Sequence, residues 1–407
     1  MPLTRGASDA DVADEHIRQL ASLIAASQHC VFVTGAGAST NAGLRDYRGP
    51  NGIWTEAQAA GIVQGDPGEK INRDFDCPWD DDMYRLHALA TPTLTHRAIT
   101  QLVVMGRVKH VISQNEDGLH RRAGLPAEHL SEVHGNAFVE LCSAAAKGAE
   151  SSSDSSDSDS EDAAEEAAKE EARVLRPAGC GAAIVRDFVT YHGDTYKRAN
   201  AAGRHVTRRA CPRCHPDGPP STSALPRVGR GWLLDSTVDF GESPDGLPWG
   251  ANPVHNMVAA RVHMQHADLV VVWGSSLSIL ANYFDPWCPS SKWAKPPPKG
   301  VRLAPAVASG AEAGAAAAAA AQGKRPKRAA KPGACKLAIV TRGDATDEEF
   351  AVLKIEDDVD AVMQRLLAAL ALPEPPPYEP QRDPLLMAAE PLREGEPAGA
   401  PWKLGGS

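Results

Sequence analysis

Three stretches of this chain carry residue types suited to holding a nucleotide, and a fourth offers a group that can move a proton. The first, Val33-Thr34-Gly35-Ala36-Gly37-Ala38-Ser39-Thr40, follows the apolar run Cys30 to Val33 and precedes Asp46-Tyr47-Arg48-Gly49. Glycines at a strand end let the backbone approach a pyrophosphate, whose charge is met by N–H groups opening the next helix. Thr40 stands where the dinucleotide fingerprint G-x-G-x-x-G needs its third glycine, and no acidic strand end is evident downstream, which argues against an ordinary dehydrogenase. The second stretch, Ser113-Gln114-Asn115-Glu116-Asp117-Gly118-Leu119-His120, follows the apolar run Val108 to Ile112. Beyond the carboxyl end of such a strand, Gln114, Asn115 and Asp117 can hold ribose hydroxyls. The third, Gly274-Ser275-Ser276-Leu277, ends the run Asp268 to Trp273 and suits phosphate or ribose contacts. His134, in Glu132-Val133-His134-Gly135-Asn136, can take a proton near neutral pH.

These residues need a scaffold of buried parallel strands. The runs Cys30–Val33, Val108–Ile112, Asp268–Trp273 and Lys336–Thr341 read as such strands. Ile17, Leu20, Leu23 and Ile24 mark one face of a helix leading into the first strand, and a second helix is expected over 94–104. Within it, His96 reads as a structural hydrogen-bonding residue. Val359, Val362, Met363, Leu366 and Leu367 fall at the spacing of a closing helix between Asp357 and Leu370.

The pieces TGAGAST, DYRGPNGIWT, PTLTH, QNEDGLH, EVHGN, DFGE and GSSL, in this order, resemble the sirtuins, the NAD-dependent protein-lysine deacylases. The resemblance covers residues 14–372 apart from two insertions; RGPNGIWT and the segment CKLAIV…VLKIEDDVDAVMQRLL look most like the class IV, nuclear and nucleolar, branch. It implies an α/β fold, a Rossmann-like parallel sheet with helices on both faces plus a smaller inserted zinc-binding module. It implies NAD as co-substrate, and nicotinamide, free lysine and O-acyl-ADP-ribose as products. His134 matches the general base, and Asn115 and Asp117 match residues that organise ribose and nicotinamide. Gly35, Ala36, Gly37, Ser39 and Thr40 match the phosphate loop, and Asp46, Tyr47 and Arg48 the segment closing over the cofactor. Trp54, Gln114, Gly274, Ser275, Ser276, Thr341 and Val359 complete the implied cofactor set. Val238, Phe240 and Gly241 match the segment that pairs with the substrate backbone. Three residues depart from the pattern. Glu116 stands where a small apolar residue or cysteine is usual, Thr341 replaces an asparagine, and Asp239 stands where class IV relatives often have histidine.

Eight cysteines with no signal peptide and no disulfide-like spacing point to a reducing compartment. Cys211-Pro212-Arg213-Cys214 is a clean C-x2-C pair. By the resemblance its partners are Cys142 and Cys180, with residues 146–179 inserted between them and Ala145 where the second thiol would otherwise fall. Four thiolates would hold a structural zinc; the alternative is that Cys142 or Cys180 is a small core residue.

Net charge is −10, and the run from Ser151 to Ala172 supplies nine acidic residues against one lysine. Such a run is expected to be disordered, either as a solvated tether or as an acidic arm for basic partners. A second insertion carries an alanine run, too short and too weakly apolar to span a membrane, and the cluster Lys324-Arg325-Pro326-Lys327-Arg328. That cluster reads as a nuclear localisation signal, a chromatin or nucleic-acid contact, or a solvated linker.

The expected organisation is an N-terminal tail 1–11 and a Rossmann-like domain in three parts, 12–136, 238–295 and 335–372. The zinc module is 137–237, the basic insertion 296–334, and a disordered proline-rich tail 373–407. The expected substrates are acylated lysines of proteins, histones among them, in the nucleus or nucleolus. Mono-ADP-ribosyl transfer and a weakly active chromatin-binding scaffold are the competing readings.

Overall fold

The computed structural model describes residues 9–49, 52–61, 80–143, 180–190, 205–216, 231–238, 252–288, 335–399 and 401–406. Phe240, Gly241, Asp239, Cys77 and the interiors of both expected insertions lie outside these residues. The chain divides into two compact units: the first is 1–75, 90–133 and 256–387, the second 76–89, 134–255 and 388–407. The boundaries expected after 136 and 237 thus fall after 133 and 255.

The first unit is built on a six-stranded, wholly parallel sheet in the order β10-β9-β8-β1-β2-β3. Its strands are β1 (Cys30–Thr34), β2 (His110–Ser113), β3 (Leu130–Glu132), β8 (Leu269–Trp273), β9 (Lys336–Val340) and β10 (Ala351–Ile355). Every residue of β1 and β8 is buried, as expected of strands covered on both faces. Alternation then sorts the side chains. Cys30 and Phe32 pack with Ile17, Leu20 and Ile24 of α1 (Asp9–Ala26), Ile99 and Leu102 of α4 (Leu94–Val104), and Val362 and Leu366 of α7 (Val359–Ala369). Val31 and Val33 join the opposite cluster, with Ala260 and Met264 of α6 (Met257–His266) and with Leu280, Phe284 and Trp287. Short helices α2 (Ile53–Ala59) and α5 (Leu119–Arg122) follow the glycine-rich turn and β2.

The second unit holds α3 (Asp80–Leu89) and a four-stranded antiparallel sheet, β5-β4-β7-β6. Its strands are β4 (Val139–Ser143), β5 (Ala183–Val185), β6 (Val206–Ala210) and β7 (Trp232–Asp235). Its centre is ionic. Glu140, fully buried, accepts Arg186 Nε and Arg209 Nε at 2.6 Å each, and these guanidiniums hold its carboxyl below the usual range against the opposing effect of burial.

The segment 373–407, expected to be a disordered tail, is instead folded onto the molecule through its described residues. In the first unit, buried Arg122 binds Asp383 at 2.8 Å and Tyr378 Oη at 2.8 Å, and Arg97 reaches the Pro375 and Pro376 carbonyls. A short helix α8 (Pro384–Ala388) follows. Proline lacks a donor but keeps its carbonyl, so a proline-rich strand can be fixed by arginines rather than by a core of its own.

Candidate functional site

The glycine-rich turn leaves β1 at Thr34 and continues as a 3-10 turn from Ala36 to Ala42. Gly35 N–H donates to Trp273 O and Gly37 N–H to Gly274 O, so this turn runs directly against the end of β8. A Cβ on Gly37 would lie 2.8 Å from Gly274 Cα, and Gly274 itself has φ +60°. Close passage of two backbones therefore requires these glycines before any ligand is considered.

At the carboxyl ends of β1 and β2 a buried polar network has formed around Ser39, which is 1% exposed. Ser39 Oγ donates to Asp117 Oδ2 at 2.6 Å and accepts Asn115 Nδ2 at 3.1 Å. Asn115 Nδ2 also donates to Gly35 O at 3.0 Å. Asp117 Oδ1 accepts Leu119 N–H at 2.9 Å, and Gln114 Nε2 donates to Ser275 Oγ at 3.3 Å. Two histidines back this network. His96 Nδ1 takes part in a capping box with Thr93 at the start of α4, which leaves Nε2 toward Ser39 Oγ at 3.5 Å. His120 Nε2 meets Thr34 Oγ1 at 2.9 Å, and the two rings lie 4.7 Å apart. Burial lowers both to a pKa of about 3; at His120 the His96 ring adds to the effect and Asp117 opposes it. Both rings are neutral at pH 7, so each can donate once and accept once.

The structure thus brings together Gly35, Gly37, Ser39, Gln114, Asn115, Asp117 and Ser275. Asp46, Tyr47, Arg48 and Trp54 form a second group in the same unit. Trp54 is buried, with Tyr47 5.1 Å from its ring and the exposed Arg48 guanidinium 4.3 Å above it. Asp46 O accepts Ile53 N–H, which closes this turn. Thr341 ends β9 through a hydrogen bond to Ile355 O. Val359 is in the apolar cluster under α7, so its side chain serves the core. Spacing gave no sign of one further link: Asp358, the N-cap of α7, accepts Asn41 Nδ2 at 3.0 Å and Arg342 at 2.9 Å.

His134 opens the second unit, partly exposed. Its neighbour Gly135 has φ +93° and lies against the Ser236 carbonyl, where no Cβ fits. Asn136 N–H donates to Ser236 Oγ, which donates back to Asn136 O at 2.9 Å, and Val238 N–H donates to His134 O at 2.9 Å. The EVHGN motif and Val238 are therefore laced together through the backbone.

In the same unit Cys142, Cys180, Cys211 and Cys214 converge, their sulfurs all within 4.8 Å of one another. Cys142 and Cys214 are 3.7 Å apart, Cys180 and Cys211 3.6 Å. Cys214 N–H and His215 N–H both turn back to Cys211 O, the tight turn a C-x2-C pair needs. Hydrogen bonding, from Cys142 first, lowers the Cys211 thiol to about 5. Four clustered thiols fit a tetrahedral zinc.

The donor set beyond β1, β2 and β8 offers amides, hydroxyls and one carboxylate, a chemistry that fits the ribose and carboxamide of NAD. These features fit an NAD-using α/β protein with a structural zinc module. The Sir2 family model matches residues 35–281, and the chain belongs to that family, the class of NAD-dependent protein deacetylases. It is 31% identical over 390 residues to NAD-dependent protein deacetylase sirtuin-7 of Bos taurus, covering 95% of this chain and 68% of that protein. It is 39% identical over 263 residues to NAD-dependent protein deacetylase SRT1 of Arabidopsis thaliana, covering 65% of this chain and 38% of that one. A solved structure from work on the mechanism and regulation of Sir2 enzymes aligns with a TM-score of 0.44 at 20% identity, covering 88% of this chain and 98% of that one. The chain spans about two-thirds of the length of the sirtuin-7 relatives it matches, 65% of the Mus musculus protein for instance. The likeness to sirtuin-7 agrees with the class IV placement.

Proposed function

We propose that this chain removes acyl groups from protein lysines, with NAD as co-substrate and with histones or other nuclear proteins as targets. The observation that carries this reading is the Ser39–Asn115–Asp117 network. Asn115 spends its amide hydrogens on Gly35 O and Ser39, which leaves its carbonyl oxygen to accept from a ribose hydroxyl. Asp117 is held by Ser39 and the Leu119 amide, so its carboxylate is oriented before any ligand arrives.

His134 takes a proton from a ribose hydroxyl as the acyl group passes to the sugar. NAD supplies the electrophilic ribose carbon and the nicotinamide leaving group. Val238 lines the acyl-lysine backbone, which adds as a strand; Phe240 and Gly241, matched to the same role by the resemblance, lie outside the described residues. Arg48 and Trp54 belong to the segment that closes over the dinucleotide and excludes water. The basic cluster 324–328 and the likeness to sirtuin-7 support a nuclear setting, and no helix among the described residues is long and apolar enough to cross a membrane.

The test is nicotinamide release from NAD with an acetyl-lysine histone peptide, for the wild type and His134→Ala. Release that requires the peptide and falls at least 100-fold in the variant supports the reading. Peptide-independent release with label transferred to protein would instead indicate ADP-ribosyl transfer, and no release from zinc-loaded protein would indicate a scaffold.

A further inference from the structure

The end of the chain does something specific around the four thiols. Arg393 donates from Nη1 to His215 O at 3.1 Å and from Nη2 to Ala210 O. These carbonyls belong to the residues immediately outside Cys211 and Cys214. One planar guanidinium thus bridges the two ends of the C-x2-C turn, a fork geometry that lysine cannot reproduce. The guanidinium is itself fixed, because Nε donates to Glu396 Oε1 at 3.0 Å while the Arg393 N–H donates to Glu396 Oε2 at 3.0 Å. The Glu396 side chain is 1% exposed.

Contacts on either side hold this segment in place. Glu390 pairs with the continuation of β5, through Glu390 N–H to Val185 O at 2.8 Å and Asp187 N–H to Glu390 O at 3.3 Å. β5 is an edge strand of the small sheet, and an edge left open is a liability. Arg186 Nη1 donates to Pro391 O at 3.2 Å, and Arg209 Nη1 to Pro397 O at 3.2 Å. Both arginines are already anchored on Glu140. Gly399 lies against the Phe188 ring, and Leu404 N–H donates to Asp187 O at 2.7 Å. Every one of these contacts lies inside the second unit.

We infer that residues 388–399 and 401–406 form an intramolecular clasp on the zinc knuckle, with Arg393 the positioning residue that keeps the Cys211–Cys214 turn closed around its metal. The inference rests on the reading of the four thiols as a zinc site. Release of a structural zinc needs the thiolates to separate so that a competing ligand can enter. A turn bridged at both ends opens less often than a free one. The clasp therefore governs how fast zinc leaves and adds no ligand of its own.

The experiment uses the full zinc-loaded chain. Metal analysis first asks for one zinc per chain; its absence overturns the zinc reading alone. Zinc transfer to a chromogenic chelator is then timed for the wild type, Arg393→Ala, Arg393→Lys and, as control, Arg382→Ala, which alters an exposed ion pair with Glu379 in the other unit. We expect roughly tenfold faster release for Arg393→Ala, since about 1.4 kcal/mol, one hydrogen-bonded charge, is a factor of ten. Arg393→Lys should lie between, and Arg382→Ala should match the wild type. Wild-type release from Arg393→Ala, or equal acceleration by Arg382→Ala, overturns the clasp. Should Arg393→Ala fail to fold, amide exchange in the wild type decides: Glu390 and Leu404 amides protected as well as the Cys142 amide support it, and free-chain exchange there sinks it.

Discussion

Ser39 sits where three polar side chains depend on one hydroxyl. It donates to Asp117, accepts from Asn115 and faces His96 Nε2. Ser39→Ala leaves a carboxylate oxygen and two N–H groups without that partner in a dry site. An unsatisfied buried group costs about 1–3 kcal/mol, so the urea midpoint should fall by that equivalent. Activity should fall further, on the order of 100-fold in kcat/KM, because Asn115 and Asp117 lose the contact that aims them. Ser39→Thr, which keeps the hydroxyl, should recover part of both if the pocket admits its methyl. Equal losses of stability and activity in Ser39→Ala would make the residue structural only. The neutral His96 and His120 behind it are kept uncharged by burial, which at His120 outweighs the opposing pull of the Asp117 carboxylate.

At the level of elements, α7 does more than close the fold. Its N-cap Asp358 accepts Asp360 N–H and Ala361 N–H at 3.0 Å each, and also holds Asn41 from the glycine-rich turn and Arg342 beyond β9. Losing such a cap costs about 1 kcal/mol. Asp358→Ala should therefore lower stability by roughly that amount and raise the KM for NAD several-fold with kcat little changed, whereas Asp358→Asn should keep the cap and most of the stability. An unchanged KM in Asp358→Ala would show that the turn holds its shape unaided. The elements themselves were legible from the sequence because buried strands and amphipathic helices repeat over short spans; the helix over 94–104 matches its expected limits. The joints between them were not. Asn41 and Asp358 are 317 residues apart, and nothing in either neighbourhood marks the pair. The proline-rich end reads as disordered for the same reason, since its partners are Arg97, Arg122, Arg186 and Arg209, far upstream and polar. The four thiols are legible through the resemblance despite the long insertion, and they converge because Cys142 N–H bonds Ala182 O and β4 pairs with β5, which brings the residues flanking the insertion together.

The first unit as a whole is polarised along its sheet. The Ser39–Asn115–Asp117 network proposed to hold the nucleotide lies at the carboxyl ends of the strands, while a cluster of histidines gathers at the amino ends. His29 precedes β1, His110 opens β2, His129 precedes β3, and His263 and His266 end the helix before β8. His29 Nε2 and His263 Nδ1 are 3.0 Å apart, and the His110 and His263 rings stack at 4.4 Å. Burial comes first among the causes that lower His29 to about 4 and His263 to about 3, and it drives His110 down as well; neighbouring histidines add to this at all three, while at His29 alone Lys109 adds to it and Asp268 opposes it. The unfolded chain binds protons on these rings below about pH 6.5. The native state does not until about pH 4 or lower, so the unfolded state holds more protons across that window and stability falls as pH falls through it. The linkage slope is on the order of 1.4 kcal/mol per pH unit for each histidine fully in its window. Urea midpoints at pH 7, 6 and 5 should therefore drop with increasing steepness. A His29→Gln/His263→Gln double variant should show a shallower drop over the same range, whatever its stability at pH 7. Parallel curves for the two proteins would place the acid sensitivity elsewhere, in His96 and His120 behind the nucleotide site. In that case acid would unfold the unit from its carboxyl-end face, and added NAD would protect against it; an origin in the amino-end cluster predicts that NAD raises the midpoints by the same amount at every pH at which it binds equally well.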